Sequence, residues 1–204
     1  QKDKDDKVVY LYTNDTEEHH SLIENATNKG YDVLVLDGPL APHLVSKLEQ
    51  SLENISFARI DADTIEKLID KGEEVPSKLT KEDEEALKPV IEEVMPKAKF
   101  TVDFQSLSET DSPMQITEAE FMRRMKEQQA MGGGAMGFMG SMPEMYNLVV
   151  NSNHPLISKI LETKTEKKKK QLIEQATDLA MLAKGMLTGE KLTKFLKRSI
   201  EIIK

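Results

Sequence analysis

The sequence predicts a mixed α/β and α+β chain. A small parallel α/β subdomain comes first, then a mixed α/β domain with a short antiparallel sheet and a C-terminal helical hairpin. Three observations carry that reading. Apolar, β-type runs at residues 8–12 and 33–36 bracket a helical stretch. Residues 99–104 alternate polar and apolar, as a half-exposed strand does. Towards the end, apolar residues recur at helical spacing in two stripes.

Val8, Val9, Tyr10, Leu11 and Tyr12 form a β-branched and aromatic run that stops at Asn14 and Asp15, where a helix can be capped. Residues 20–28 read as a helix with Leu22, Ile23 and Ala26 apolar, closed by Gly30. Val33, Leu34, Val35 and Leu36 are a continuous apolar run, the pattern of a strand buried on both faces. Asp37, Gly38 and Pro39 turn the chain into a second helix marked by Leu40, Leu44, Val45 and Leu48. Residues 56–60 supply a third strand, and strand–helix–strand alternation at this spacing implies parallel crossovers. The chain then turns acidic, with 12 acids and 5 bases in residues 61–96. Thr80 and Asp83 are a capping pair ahead of a helix carrying Leu87, Val90, Ile91 and Val94. Gly72 and Pro76 separate it from the preceding helix, which places the domain boundary there and gives domains 1–74 and 75–204.

In the second domain, residues 114–116 are expected to pair back on residues 99–104, with residues 144–150 as a third strand. Thr117 and Glu120 make a capping box for a helix bearing Phe121, Met122 and Met125. That helix dissolves into a stretch of methionine and glycine. Eight of the 11 Met lie between residues 114 and 145, and five of the 10 Gly between 132 and 140. Glycine at that density leaves the backbone too free to hold a core, whereas methionine adapts to many apolar shapes. Two readings stand. Phe121, Met122 and Met125 face the local core and the glycine stretch is inert, or these residues with Met131, Met136, Phe138 and Met139 form a surface for variable apolar partners.

Leu172, Ala176, Leu179, Ala183 and Met186 follow at spacings of 4, 3, 4 and 3, the seam of a packed helix. After a break at Thr188 and Gly189, Leu192, Phe195, Leu196, Ile200 and Ile203 form a second stripe. Such a hairpin either folds onto its own domain or pairs with a second copy as an intermolecular four-helix bundle. Lys167 to Lys170 read as a solvated helix face.

Several function classes are disfavoured. The net charge is −8, against a general nucleic-acid binder, although residues 159–204 hold 12 bases and 6 acids. No run approaches the roughly 18 apolar residues of a membrane span. Cysteine is absent, which removes disulfides and cysteine-rich zinc sites and fits a reducing compartment such as the cytoplasm. No Walker loop, GxGxxG, HExxH or nucleophile elbow occurs. The four histidines, His19, His20, His43 and His154, all read as surface residues, so no catalytic or metal site is expected. The first residues, beginning Gln1, Lys2 and Asp3, read as cut from a longer protein.

Three segments in register, SLSETDSP (106–113), FMRRMK (121–126) and NSNHPLI (151–157), resemble the C-terminal domain of the heat-shock protein 90 chaperones. Residues 10–48 are similar to the last α/β subdomain of that family's middle region, so the resemblance covers nearly the whole chain. It implies an ATP-dependent chaperone whose nucleotide and magnesium sites lie in domains not present here, so that this fragment is not itself an enzyme and needs no cofactor. It implies that the helix from Phe121 to Met125 contacts partly folded client proteins. A further client contact falls at His43 and Leu44, where some bacterial members carry an aromatic in place of His43. The final helices would form a homodimer. The chain ends at Lys204 without the acidic tail by which eukaryotic cytosolic members recruit helical-repeat co-chaperones, as in the bacterial form.

Two other functions are weaker on the residues. A methionine-rich signal-peptide-binding module also binds RNA and is strongly basic, whereas residues 97–158 carry 5 bases and 7 acids. A small α/β enzyme would need a glycine-rich phosphate loop after residue 12, and none follows.

Overall fold

The computed structural model describes residues 1–73, 75–96, 99–131 and 145–203. The chain divides into two compact units. One comprises Gln1–Glu73 and Thr117–Glu144, the other Glu74–Ile116 and Met145–Lys204.

The first unit is built on a three-stranded parallel sheet. Strand β1 (Val8–Thr13) is central, with β2 (Val33–Val35) and β3 (Ile55–Arg59) on either side. Leu11 pairs with Val33, and Tyr10 with Phe57, both in parallel register. Helix α1 (His20–Asn28) has the expected bounds and buries Ala26, and α2 (Ala41–Ser51) buries Val45. Val9, Leu11, Ala26, Ile60, Ile65 and Ile69 form one cluster, Tyr12, Val45 and Phe57 another. Ile65 and Leu68 belong to the short helix α3 (Ile65–Leu68). The run at residues 33–36 was expected to be buried on both faces. It is instead an edge strand whose Leu34 and Val35 are 41% and 55% exposed. A three-stranded sheet has one central strand only, and β1 takes that place.

One polar cluster in this unit corrects the reading of His19 as a surface residue. The residue is 3% exposed, its ring Nδ1 lies 2.8 Å from the Thr13 hydroxyl, and Nε2 lies 3.6 Å from Asp61 Oδ2. Asp61 is itself fully buried and paired with the Arg59 guanidinium, which donates from Nε at 2.5 Å and from Nη2 at 2.8 Å. Burial of ionisable groups is tolerated only when they are paired in this way.

The second unit packs four helices and a small sheet around one core. Helix α4 (Lys81–Val94) starts as expected, the Thr80 hydroxyl accepting from Asp83 N–H while the Asp83 carboxylate accepts from Thr80 N–H. Strands β4 (Phe100–Gln105), β5 (Met114–Thr117) and β6 (Tyr146–Asn151) lie in the order β4-β6-β5. The sheet was expected to be antiparallel, with residues 114–116 beside residues 99–104. Its β4–β6 pair is parallel, Val102 opposite Leu148, and β6 separates β5 from β4. Helices α6 (Pro155–Glu162) and α7 (Glu166–Ala183) follow, and α8 (Gly189–Ile203) closes the hairpin on α7. The core joins Leu87 and Ile91 of α4, Leu148 and Val150 of β6, Ile157 and Ile160 of α6, Ile173 and Ala176 of α7, and Phe195 of α8.

Candidate functional site

Helix α5 (Glu120–Met131) belongs to the first unit. Its start differs from the expected capping box. Thr117 ends strand β5, and its buried hydroxyl has no hydrogen-bond partner. The Glu120 carboxylate turns along the helix instead, accepting from Arg123 Nε at 3.0 Å and from Arg124 Nε at 2.7 Å. Strand pairing has taken the residue that the local pattern assigned to the cap.

Two adjacent arginines hold α5 in place. Arg123 is 4% exposed. Its Nη2 donates to the Tyr12 hydroxyl at 2.7 Å, and the guanidinium lies 5.8 Å from the centre of the same ring. Arg124 reaches Glu49 at the far end of α2 with two bonds, Nη1 to Oε2 at 2.7 Å and Nη2 to Oε1 at 3.1 Å. Nη2 also donates to the Phe57 carbonyl at 2.9 Å, and Glu49 Oε1 accepts from Phe57 N–H at 2.8 Å. Burial works to raise the Glu49 carboxyl, but the hydrogen bonds from Arg124 and Phe57 outweigh it and hold the group below its ordinary value. Arg124 is held above its ordinary value by the Glu49 hydrogen bond, against burial.

This anchoring presents the apolar residues of α5 differently. Phe121 is 69% exposed, while Met122 and Met125 are half-buried. Phe121 therefore does not face the local core. The side chain of Met131 and all of Met136, Phe138 and Met139 lie outside the described residues. On α2, His43 is exposed and Leu44 is 49% exposed, with Leu40 at 72% just before them. A cleft of about 240 Å³ lies beside the ends of β1 and β3, with Tyr12, Leu36, Pro39, Pro42, Arg59 and Arg123 among its walls. Arg123 of α5 and the residues that lead into α2 thus line one depression, at the carboxyl ends of parallel strands where α/β folds open clefts.

In the second unit, the residues of the two C-terminal stripes divide between interior and surface. Ala176 and Phe195 are buried in the unit's own core, and Leu172, Met186 and Leu192 pack partly against it. Leu179, Leu196 and Ile200 are 44%, 52% and 57% exposed, and Ala183 is exposed as well. Leu182, which the spacing did not single out, is 43% exposed. The side chain of Ile203 lies outside the described residues. Arg198 fixes α8 on α7, donating to Gln175 Oε1 at 2.7 Å and to Asp178 Oδ2 at 2.5 Å.

The residues that the sequence reading left without a role are Asn151, Asn153 and His154. Asn151 is 1% exposed. Its amide donates to Ser108 carbonyl at 2.7 Å, and its oxygen accepts from Leu107 N–H at 3.3 Å and Asn153 N–H at 3.0 Å. Asn153 donates to the carbonyls of Pro76 and Leu107 and accepts from Lys78 N–H. His154 caps α6, its Nδ1 accepting from Leu156 N–H at 3.0 Å. The only signal for this in the sequence was the density of amide and imidazole side chains before Pro155.

Burial holds the His154 imidazole below its ordinary value. The folded state therefore binds fewer protons than the unfolded state across that interval, and stability falls as pH drops through the ordinary histidine range near ~6.5. Protonation also removes the Nδ1 lone pair that caps α6. Replacing His154 with Asn, a cap acceptor that does not titrate, is expected to flatten this part of the stability–pH profile, measured by urea unfolding between about pH 5 and 8. An unchanged slope would assign the titration to another group.

A family model described as Hsp90 protein matches residues 1–204. Chaperone protein HtpG of Porphyromonas gingivalis is 36% identical over 270 aligned residues, covering all of this chain and 39% of that protein. The HtpG chaperones of Bacteroides thetaiotaomicron and Bacteroides fragilis are each 35% identical, again over the whole chain and 40% of their own length. The chain belongs to the Hsp90 family of chaperones, and it is similar to the bacterial members named HtpG. It spans about two fifths of the length of these relatives.

Proposed function

We propose that this chain is the dimerising, client-handling part of an ATP-driven cytoplasmic chaperone. The observation that carries the reading is Phe121, 69% exposed beside half-buried Met122 and Met125 on a helix pinned by paired arginines. A single exposed apolar side chain is ordinary, but an exposed aromatic beside adaptable methionines on an anchored helix suits contact with apolar segments of unfolded chains. Leu40 and Leu44, exposed just before and within α2 of the same unit, add the same kind of surface, with His43 beside them. Met131, Met136, Phe138 and Met139 are assigned to it by sequence.

The exposed Leu179, Leu182, Ala183, Leu196 and Ile200 suit a second copy of the chain, in a bundle of four helices. Leu172, Ala176, Met186, Leu192, Phe195 and Ile203 then support or border that interface. A dimer joins two client surfaces in one particle, so that weak contacts add through effective concentration. The reading gives this part no chemistry of its own. Nucleotide and magnesium act elsewhere in the whole protein, and ATP-driven movement there changes how the two surfaces face a client. No helix among the described residues is long and apolar enough to cross a membrane.

The test is binding to a permanently unfolded protein, with sedimentation equilibrium alongside. Replacing Phe121, Met122 and Met125 together with Ser is expected to weaken binding about tenfold, or ~1.4 kcal/mol, without changing the mass in solution. Replacing Leu196 and Ile200 with Ser is expected to give a folded monomer. Truncation before α7 is a poorer probe, because it removes Ile173, Ala176 and Ala180 from the core. Unchanged affinity in the triple variant would remove the client reading.

A further inference from the structure

The geometry points to Arg124 as a positioning residue, which sets where Phe121 is presented by closing the open edge of strand β3 together with Glu49. This rests on the reading of α5 as a client-contact helix.

Among the described residues strand β3 is at the edge of its sheet, paired on one side only, with β1. An edge strand leaves backbone N–H and C=O groups without strand partners. At Phe57 both are met by side chains from two different helices. The N–H donates to Glu49 of α2 and the C=O accepts from Arg124 of α5. Glu49 and Arg124 also pair with each other through two hydrogen bonds, the geometry that gives a guanidinium–carboxylate pair its directional preference. The edge is thus closed and α5 is tied down by the same atoms.

Apolar burial on the described part of α5 is only partial, with Met122 and Met125 half-buried. From Glu120 to Met125 the only buried side chain is Arg123, Phe121 faces outwards, and the Thr117 hydroxyl does not cap the helix. The two arginines differ in what their loss would do. Arg123 is 4% exposed beneath Tyr12, so its removal damages the interior of the unit. The Arg124 side chain is 33% exposed, so its removal chiefly frees the helix and uncovers the Phe57 backbone. Lysine at this position keeps the charge but cannot present a planar fork to both Glu49 oxygens while reaching the Phe57 carbonyl.

The test measures the exchange rate of the Phe57 amide by NMR and the affinity for a permanently unfolded protein, in the whole chain. Arg124→Ala is expected to speed Phe57 exchange about tenfold and to weaken binding about threefold, with Arg124→Lys between it and the parent. The same replacement made on top of the Phe121, Met122 and Met125 serine variant should cost less affinity than it costs the parent, because Arg124 acts through the apolar residues that α5 carries and of these Met131 remains. An equal loss in the two backgrounds would mean a general structural effect and overturn the proposal. If the serine variant weakens binding but Arg124→Ala does not, the positioning role is wrong and the client reading stands. If the serine variant binds as the parent does, the client reading itself fails and this proposal fails with it. Should Arg124→Ala not fold, Glu49→Gln serves in its place. It keeps an acceptor for the Phe57 N–H but weakens the pair, so it should lower affinity in the same direction, and unchanged affinity would overturn the proposal.

Discussion

Replacing Leu148 with Ala is expected to destabilise the second unit by about 2–5 kcal/mol, the range for removing a large buried aliphatic side chain. Leu148 has no exposed surface and sits on β6, the strand flanked by β4 on one side and β5 on the other. It lies opposite Val102 and shares a core with residues from every helix of the unit. The strands around it are fixed by pairing on both sides of β6, so the space cannot close by a small shift. Urea unfolding followed by circular dichroism gives the number, with Val75→Ala in the same unit as the comparison. Val75 is 45% exposed, and its loss is expected to change stability by less than about 0.5 kcal/mol. A loss below about 1 kcal/mol at Leu148 would contradict its place at the centre of the core.

The second large effect is expected at Asn151. Its side chain meets one carbonyl and two N–H groups, those of Ser108, Leu107 and Asn153. Leaving buried polar groups without partners costs about 1–3 kcal/mol each. Asn151→Ala should therefore cost about 3 kcal/mol or more, although it removes less volume than Leu148→Ala. Asn151→Asp keeps the acceptor but sets a buried carboxylate oxygen against the Ser108 carbonyl, so at neutral pH it should be no milder than the alanine variant. The loop through Ser108 should also become more open to protease in the alanine variant, because the side-chain bonds from Asn151 to Leu107 and Ser108 are cut. A neutral Asn151→Ala would mean that water replaces all three bonds.

What the sequence made legible was local. Helix α1 was bounded by its apolar spacing, and the start of α4 by a capping pair that the structure forms with Thr80 and Asp83. The parallel first sheet followed from strand–helix–strand alternation. The errors each came from something distant. The run of Val33, Leu34 and Val35 has the same pattern on an edge as in a centre, and only the number of neighbouring strands tells them apart. The direction of β4 against β6 depends on a connection that includes β5 and α5, which no local signal orients. Thr117 is a good cap by type, but pairing within β5 won. His19 lies next to His20 in sequence, yet one is buried against Asp61 and the other exposed.

The candidate site was legible in kind and less so in geometry. The concentration of methionine near Phe121 marked α5, and residue type alone could not say which side chains it presents. The two arginines between Met122 and Met125 gave no local signal of their role, because Tyr12, Glu49 and Phe57 lie far away in sequence. On α7 the spacing of 4 and 3 fits more than one stripe. Ile173, Ala176, Ala180 and Met181 turn inward while Leu179 and Leu182 turn out.

The stretch Thr117–Glu144 belongs with Gln1–Glu73, although the chain between them forms part of the other unit. This has a consequence during synthesis. The bond from Arg123 to Tyr12 spans 111 residues and that from Arg124 to Glu49 spans 75. At about 5–20 residues per second, several seconds pass after α2 leaves the ribosome before the residue that closes β3 exists at all. For that interval the nascent chain carries a sheet with an uncovered edge, and the unit made first is completed only after much of its neighbour has been translated.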